Sequence, residues 1–530
     1  MAYRGNIATL PIGLQGFNGS KNASRLGPGH FSAVEGVDID GGVLIKDGGA
    51  EKLNAIALGA PSKIIAGINW SPAPASNDDI VLLSNGQMRK DTGAGTFPTL
   101  LTTIVPPVVY PASFCRAGGE DAGSVRKLFM FQESDQVQVV LGTAGTAADI
   151  STPAADWTVS FPIFGVQHVN RVWAGGNASQ PHRIYYSNPL NHQDFTGSGS
   201  GTLNIYPGEG EQLVGGISFR GLLILFKYPK GIYLVDTRDA AIANWRVDRL
   251  TGAIGAANHD CIVQISNDIL ICDSTANFHL MSSVNDFSDI STSDIGRPQD
   301  LGPFVRSTLN LTAMRQARGA WYPAKSKAWF MVPLSGGTDN DLRILVDFNE
   351  PQVGARYYLS RRDTGCSLWM RPDSQGVERP TLGDDLGFVW LMDEDARNKD
   401  GAAYSMTMDT SENDFGFLDP QLAPRTKNGQ YIEIVSDIVS NYSLTVIPSW
   451  DNFTQDPIVF TIGSPGAVLG SFILDTDVLS AIGTVTTNKR LEGQGRKLKL
   501  SISNENLDEE VRLAEIRVAF QVADERLREV

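Results

Sequence analysis

Residues 213–239 read LVGGISFRGLLILFKYPKGIYLVDTRD. The run Gly221 to Phe226 (GLLILF) is an apolar segment, and six residues is strand length. Pro229-Lys230-Gly231 then supplies a turn, with proline fixing φ and glycine free to take positive φ, before IYLVD returns. The segment therefore reads as an apolar strand, a tight turn and a second apolar strand.

The same unit recurs outward in both directions. IIAGINW (64–70) leads to DIVLLSNGQMRKD (79–91), where Asn85 and Gly86 form a hairpin-turn dipeptide. RKLFMFQESDQVQVVLG (126–142) follows, then GVQHVNRVWAGG (165–176) with PHRIYYSNPLNHQDF (181–195). After the opening segment come CIVQISNDILICDSTANFHLMS (261–282) and GAWYPAKSKAWFMVPLSGGTDNDLRILVDF (319–348), with a fainter unit through CSLWM (366–370) and LGFVWLMDED (386–395). An irregular spacing of about 40–60 residues suits four-stranded propeller blades with loop insertions better than solenoid coils. No WD or kelch signature sets the number, so six or seven blades are expected. Trp70, Trp173, Tyr185, Tyr186, Trp321, Trp329, Trp369 and Trp390 stand in strand contexts and read as exposed; in propellers such rings usually wedge between blades.

Residues 411–430 carry two prolines and no alternation, and read as a linker. Beyond it the period changes to a strict two at 496–502 and 514–522, with Ser443-Leu444-Thr445-Val446 and Val459-Phe460-Thr461-Ile462 behaving alike, so those strands are half-buried. At the other end VDIDGGVLIKDGG (37–49) reads as a hairpin turning at Gly41-Gly42. The expected organisation is all-β: an N-terminal arm and hairpin (1–55) belonging to a platform, a propeller-like domain (56–415), and a C-terminal β-sandwich or barrel-like platform domain (425–530). The end, ADERLREV (523–530), reads as a short polar helix or a frayed tail.

Composition narrows the function. The formal net charge is −15, so phosphate is repelled and binding of DNA over the whole surface is disfavoured. Four scattered cysteines without a CxxC pair, and six histidines, argue against a zinc cluster or a disulfide framework and for buried free thiols. The N-terminus lacks the charged and apolar regions of a signal peptide, and no apolar stretch reaches membrane-spanning length.

Segments 169–195 (VNRVWAGG, then HRIYYSNPLNHQDF) and 218–236 (SFRGLLILFKYPKGIYLVD) resemble consecutive blades of the tail nozzle proteins of short-tailed bacteriophages, the tail tubular protein B type. The hairpin VDIDGGVLIKDGGAEKL (37–53) resembles the family's opening, and GQGRKLKLSISNENLDEEVRLAEIRVAF (493–520) its closing strand pair. The resemblance implies a non-enzymatic virion protein made in the host cytoplasm and needing no cofactor. It implies a ring homo-oligomer, usually a hexamer, below the portal and adaptor rings, touching tail fibre or tail tip proteins. Genomic DNA would pass through its lumen during ejection without specific binding. Six copies would carry about −90, which keeps a duplex from adsorbing to the wall. Two rivals differ in class. A propeller binding module, serving as a fibre-docking hub or host-receptor adhesin, predicts a monomer or trimer with an aromatic loop face. A carbohydrate-active propeller predicts turnover that depends on one or two carboxylates.

Candidate sites are few. Asn85-Gly86 and Lys230-Gly231 are structural turns. Asp393, Asp395 and Asp400, near Asn398 and Gly401, invite a calcium reading, yet Thr407 stands where a calcium loop wants glutamate. The pair Asp384-Asp385 is a further cation candidate. His168, His182 and His192 crowd one unit with Asp194, but strand geometry places them on different faces. Arg361-Arg362 and Arg496-Lys497 read as solvated strand edges that discourage aggregation. No G-x-S-x-G, H-E-x-x-H, phosphate loop or sialidase-type box is present.

Overall fold

The computed structural model describes residues 6–523 except 12–14, 20–22, 60–61, 74–75, 92, 94, 119–124, 209–211, 282–300, 350–354, 438–440 and 464–483. Among the described residues seven antiparallel sheets follow one another along the chain, six of four strands and one of three, so the blade number is seven. The segment at 213–239 is the fourth blade, with strands Gln212–Phe219, Leu222–Tyr228, Ile232–Asp236 and Arg246–Thr251.

The first strand of each blade touches the first strand of the next all the way round: Ile64–Trp70, Ser113–Ala117, Phe164–His168, Gln212–Phe219, Ile262–Ile265, Arg318–Tyr322 and Ser367–Pro372. Second strands carry the apolar load because both their faces meet neighbouring blades. Lys127–Phe131 and Lys327–Val332 are buried at every position. The fourth strands of blades one to four face outward, as in Gly201–Asn204, where no residue is buried, whereas Arg356–Ser360 of blade six is buried at every position against the platform. The strand aromatics are inside rather than exposed. Of the eight expected on the surface, only Trp321 is half-exposed, and Trp173 packs on Tyr186 and Trp245 with ring centroids 5.1 and 5.4 Å away.

The ring is closed across the ends of the domain. Gly49–Lys52 pairs with Val389–Glu394 and completes the seventh blade, so this strand belongs to the propeller and not to the N-terminal arm (1–55). Backbone must come close here: a Cβ on Gly49 would stand 1.7 Å from the Ala396 carbonyl oxygen.

The remaining strands form two seven-stranded sheets drawn from both chain ends. One contains Asn6–Leu10, Val37–Asp40, Val43–Lys46, Lys427–Asp437, Thr484–Arg490, Gln494–Gly495 and Arg512–Val522. The other contains Gly16–Phe17, His30–Glu35, Met406–Thr410, Tyr442–Trp450, Phe453–Thr454, Ile458–Ile462 and Leu498–Asn504. Met406–Thr410 thus lies in the platform, outside the propeller range expected to run to 415, because Met406 and Met408 both enter the core between His30–Glu35 and Leu498–Asn504. The expected linker is also built in. Asn413 bridges to Leu498, and the fully buried Phe415 ring lies 4.5 Å from that of Phe520. One apolar cluster runs from blades five to seven into both sheets. The C-terminal reading at 523–530 falls outside the described residues beyond Ala523, whose N–H donates to the Thr426 carbonyl. Among the described residues, no helix is long and apolar enough to cross a membrane.

Candidate functional site

Two places concentrate polar chemistry: the junction of platform and propeller, and the mouth of the propeller axis. At the junction, the 37–46 hairpin lies against blade six. The Lys327 ammonium reaches the Asp38 carboxylate and donates to the Ile39 carbonyl at 2.8 Å, with both charged side chains at most 3% exposed. Burial pushes the Asp38 carboxyl up, but the Lys327 and Lys325 charges outweigh it and hold it below its ordinary value. Arg343 pairs with Asp47 and stacks 4.2 Å over the Trp329 ring; burial lowers its guanidinium to about 10. Arg362 binds Asp363 at 3.0 Å and lies 4.4 Å over Tyr404, and Lys399 joins Asp363 at 3.1 Å. Lys46 donates at 2.9 Å each to Asn504 Oδ1 and the Asn506 carbonyl, and burial pulls its ammonium down to about 8. Arg362 was expected on a solvated edge. It is instead buried, because the acidic hairpin exit Asp47 and its own neighbour Asp363 compensate its charge.

The acids proposed for cation binding are otherwise engaged. Asp393 accepts from the Tyr322 hydroxyl at 2.8 Å and from Lys325 at 2.7 Å, and Asp400 pairs with Lys52 at 3.0 Å. Asp395 is exposed and does not converge with them: among the described residues no group of three or more His, Cys, Asp or Glu side chains could share a metal ion. Asp384 is a turn anchor, and it has two counterparts. Asp273, Asp373 and Asp384 each accept the N–H groups two and four residues on. The other carboxylate oxygen takes the side chain six residues on: His279 at 3.0 Å, Arg379 at 3.2 Å and Trp390 at 2.8 Å. This repeated aspartate turn closes hairpins in blades five and seven. Its sequence signal is an Asp followed at the sixth position by His, Arg or Trp, and it went unread beside the apolar pattern.

His168 is buried between the Ser218 and Thr237 hydroxyls, 2.8 Å from each, and burial lowers it to about 4. His192 instead meets the Asn170 carbonyl at 3.1 Å. Asn85 and Gly86 occupy the turn between Asp78–Leu83 and Gln87–Asp91; Gly86 has φ +84° and its N–H donates to the Leu83 carbonyl at 2.9 Å. Lys230 and Gly231 occupy the turn of blade four, where the Gly231 N–H donates to the Ile254 carbonyl at 2.7 Å. All four cysteines are free and buried.

A cleft of about 650 Å³ opens where the inner strands begin, and a smaller cavity of about 180 Å³ lies among the inner strands, with Arg318 lining both. Arg318 is 3% exposed, donates to the Ile65 carbonyl at 2.7 Å and lies 3.7 Å from Asp260. At the cleft, Lys63 pairs with Asp339 at 2.5 Å, and the Arg315 guanidinium stacks between Tyr228 (4.2 Å) and Tyr110 (5.1 Å). Asn340, 2% exposed, spends its amide hydrogens on the Gln316 and Gly365 carbonyls at 2.8 and 3.0 Å. Sequence reasoning missed this cleft because its residues come from separate chain segments and share no motif.

No family model matches the chain, and no curated protein matches it. Among solved structures it is similar to U3-55K, at 9% identity over 65% of this chain and 98% of that one, with TM-score 0.41. BamB from Moraxella catarrhalis matches at 10% identity over 67% and 96%, with TM-score 0.38. An exo-β-1,3-galactanase from Phanerochaete chrysosporium matches at 8% identity over 89% and 100%, with TM-score 0.27. At these identities and TM-scores none of the three bears on what this chain does.

Proposed function

We propose that the chain is a non-enzymatic structural subunit of a short-tailed phage tail nozzle, assembled as a closed ring, a hexamer by family resemblance. The junction supports this reading most. Strands within segments 6–46 and 406–523, from either side of the propeller, are built into one platform, and buried ion pairs join that platform to blade six, so propeller and platform form one stiff body. A subunit that bears load as a genome leaves under pressure needs such a body and gains nothing from a hinge. The duplex would run along the axis of the ring and not of the propeller, where the cavity among the inner strands, about 180 Å³ beside buried Arg318, is far too small to pass one. The acidic surface then serves as a non-adhesive wall. Electron microscopy of the purified protein, alone and mixed with tail-deficient particles, tests the reading. Closed rings, free or on the particles, are expected; a monomer that leaves the particles unchanged would exclude it. The second reading, a binding module, is favoured by the cleft at the propeller mouth, which has the size of a small-ligand site.

A further inference from the structure

We infer that the cleft at the mouth of the propeller axis binds a carboxylate-bearing sugar. Three observations converge on that ligand class, independently of whether the chain forms a ring. Arg315 presents its guanidinium between two tyrosine rings, and among the described residues no carboxylate is paired with it, whereas Lys63 and Arg318 have Asp339 and Asp260. In a chain of net charge −15, a cation left without an acid at the edge of a cleft is placed to receive an anion, and a guanidinium matches a carboxylate in two-point geometry.

The second observation lies in the cleft wall. The Oδ1 atom of buried Asn340 has no hydrogen-bond partner, while both hydrogens of its Nδ2 are committed to carbonyls, so the amide cannot turn round to relieve it. A buried acceptor left unmade is costly unless a ligand supplies the hydrogen. A ligand that reaches Asn340 Oδ1 therefore carries a donor as well as an anion, which chloride or sulfate does not satisfy and a hydroxylated acid does.

Third, the rest of the lining suits a hydroxyl-rich molecule of one or two rings. Asn310 and Gln316 each keep an amide hydrogen beyond the one given to the Gly337 or Val109 carbonyl, and Thr312, whose hydroxyl donates to Asn310 Oδ1, and Thr338 add hydroxyl oxygens, around a volume of about 650 Å³, within the range that small ligands occupy. Tyr110 and Tyr228 hold Arg315 in place and give the site an apolar wall.

Calorimetric titration of the purified chain with D-galacturonate, N-acetylneuraminate, galactose and an acidic dipeptide tests the inference. The sugar acids are expected to bind with a Kd on the order of 1 mM or tighter, and galactose at least tenfold more weakly. Arg315→Gln should weaken the sugar acids by roughly tenfold or more, with Arg315→Lys between the two. Thr312→Trp, at an exposed rim position, should block them by bulk in a chain whose fold is untouched. Equal binding of galactose and galacturonate would overturn the inference, as would a preference for the dipeptide, or binding indifferent to both substitutions. The absence of sugar-acid binding at tens of millimolar would overturn it as well.

Discussion

Replacing Lys327 by Met removes one partner of a buried ion pair and leaves its shape. The Lys327 and Asp38 side chains are 2% and 3% exposed, so the carboxylate cannot recover water when the ammonium goes. What remains to Asp38 is the Ile39 N–H, at 2.8 Å. Stranding a buried charge in this way costs about 3–5 kcal/mol. The double variant Asp38→Leu with Lys327→Met removes both charges and should recover most of that loss, ending within about 1 kcal/mol of the parent, because replacing a buried pair by apolar groups is often close to neutral. The pH dependence follows with a definite sign. In the parent, the Asp38 carboxyl is held below its ordinary value of 3.8, so its contribution is present above pH 3.8 and is lost only as pH falls through the lower folded value. In Lys327→Met the largest opposing charge is gone and only the Lys325 charge and the Ile39 N–H still oppose burial, so the carboxyl rises, and the deficit should shrink as pH falls from about 7 to 5 and the group takes up a proton. Urea unfolding followed by tryptophan fluorescence, with Trp329 at the junction as a local reporter, measures both effects. A single variant within about 1 kcal/mol of the parent would refute the clamp. So would a deficit identical at both pH values.

His168 is lowered by burial from 6.5 to about 4, so its stabilising contribution is present above pH 6.5 and is lost as pH falls toward 4. The loss between pH 7 and 4.5 should be about 2.5 kcal/mol smaller in His168→Gln, measured by urea unfolding at both pH values. Gly86→Ala forces a side chain into φ +84° with its Cβ 1.9 Å from the Ile104 carbonyl oxygen, and should cost about 2–4 kcal/mol and lower the melting temperature. Gly49→Val should open the propeller at its closing strand, because even a Cβ there meets the Ala396 carbonyl oxygen at 1.7 Å; limited proteolysis should then cut between residues 46 and 60, where the parent resists.

What the sequence disclosed and what it hid have the same physical origin. Second strands are buried on both faces, so Ile80 to Leu83, Leu128 to Phe131 and Leu222 to Phe226 announce the repeat as apolar runs without fixing whether it has six units or seven. The fourth strands of blades two to four face out and read like loops; Gly201–Asn204 has one large apolar residue in four. The inner strand Ser113–Ala117 was missed because it is short and holds an arginine, whose guanidinium escapes by bonding the Asn69 carbonyl of the neighbouring blade. Gly49–Lys52 (GAEK) is a strand only because Val389–Glu394 presents an unpaired edge to it, a cause some 340 residues away that no local pattern contains. Met406–Thr410 does alternate, but alternation cannot say which sheet a strand joins. The same limit hid the cleft: Tyr110, Tyr228, Arg315 and Asn340 are unremarkable singly and become a site only through blade order. In the acidic loop at 393–400 the sequence showed charges but not their partners. Lys325 and Lys52, from blade six and the closing strand, take the carboxylates a cation would have needed.

The assembly state of the purified chain tests the central claim most directly, by negative-stain imaging and light scattering, with and without tail-deficient particles. The nozzle reading predicts closed rings, free or formed on the particles, whose central channel is at least about 20 Å wide, the scale set by a B-DNA duplex. A chain that stays monomeric at high concentration and neither binds nor completes the particles would contradict it.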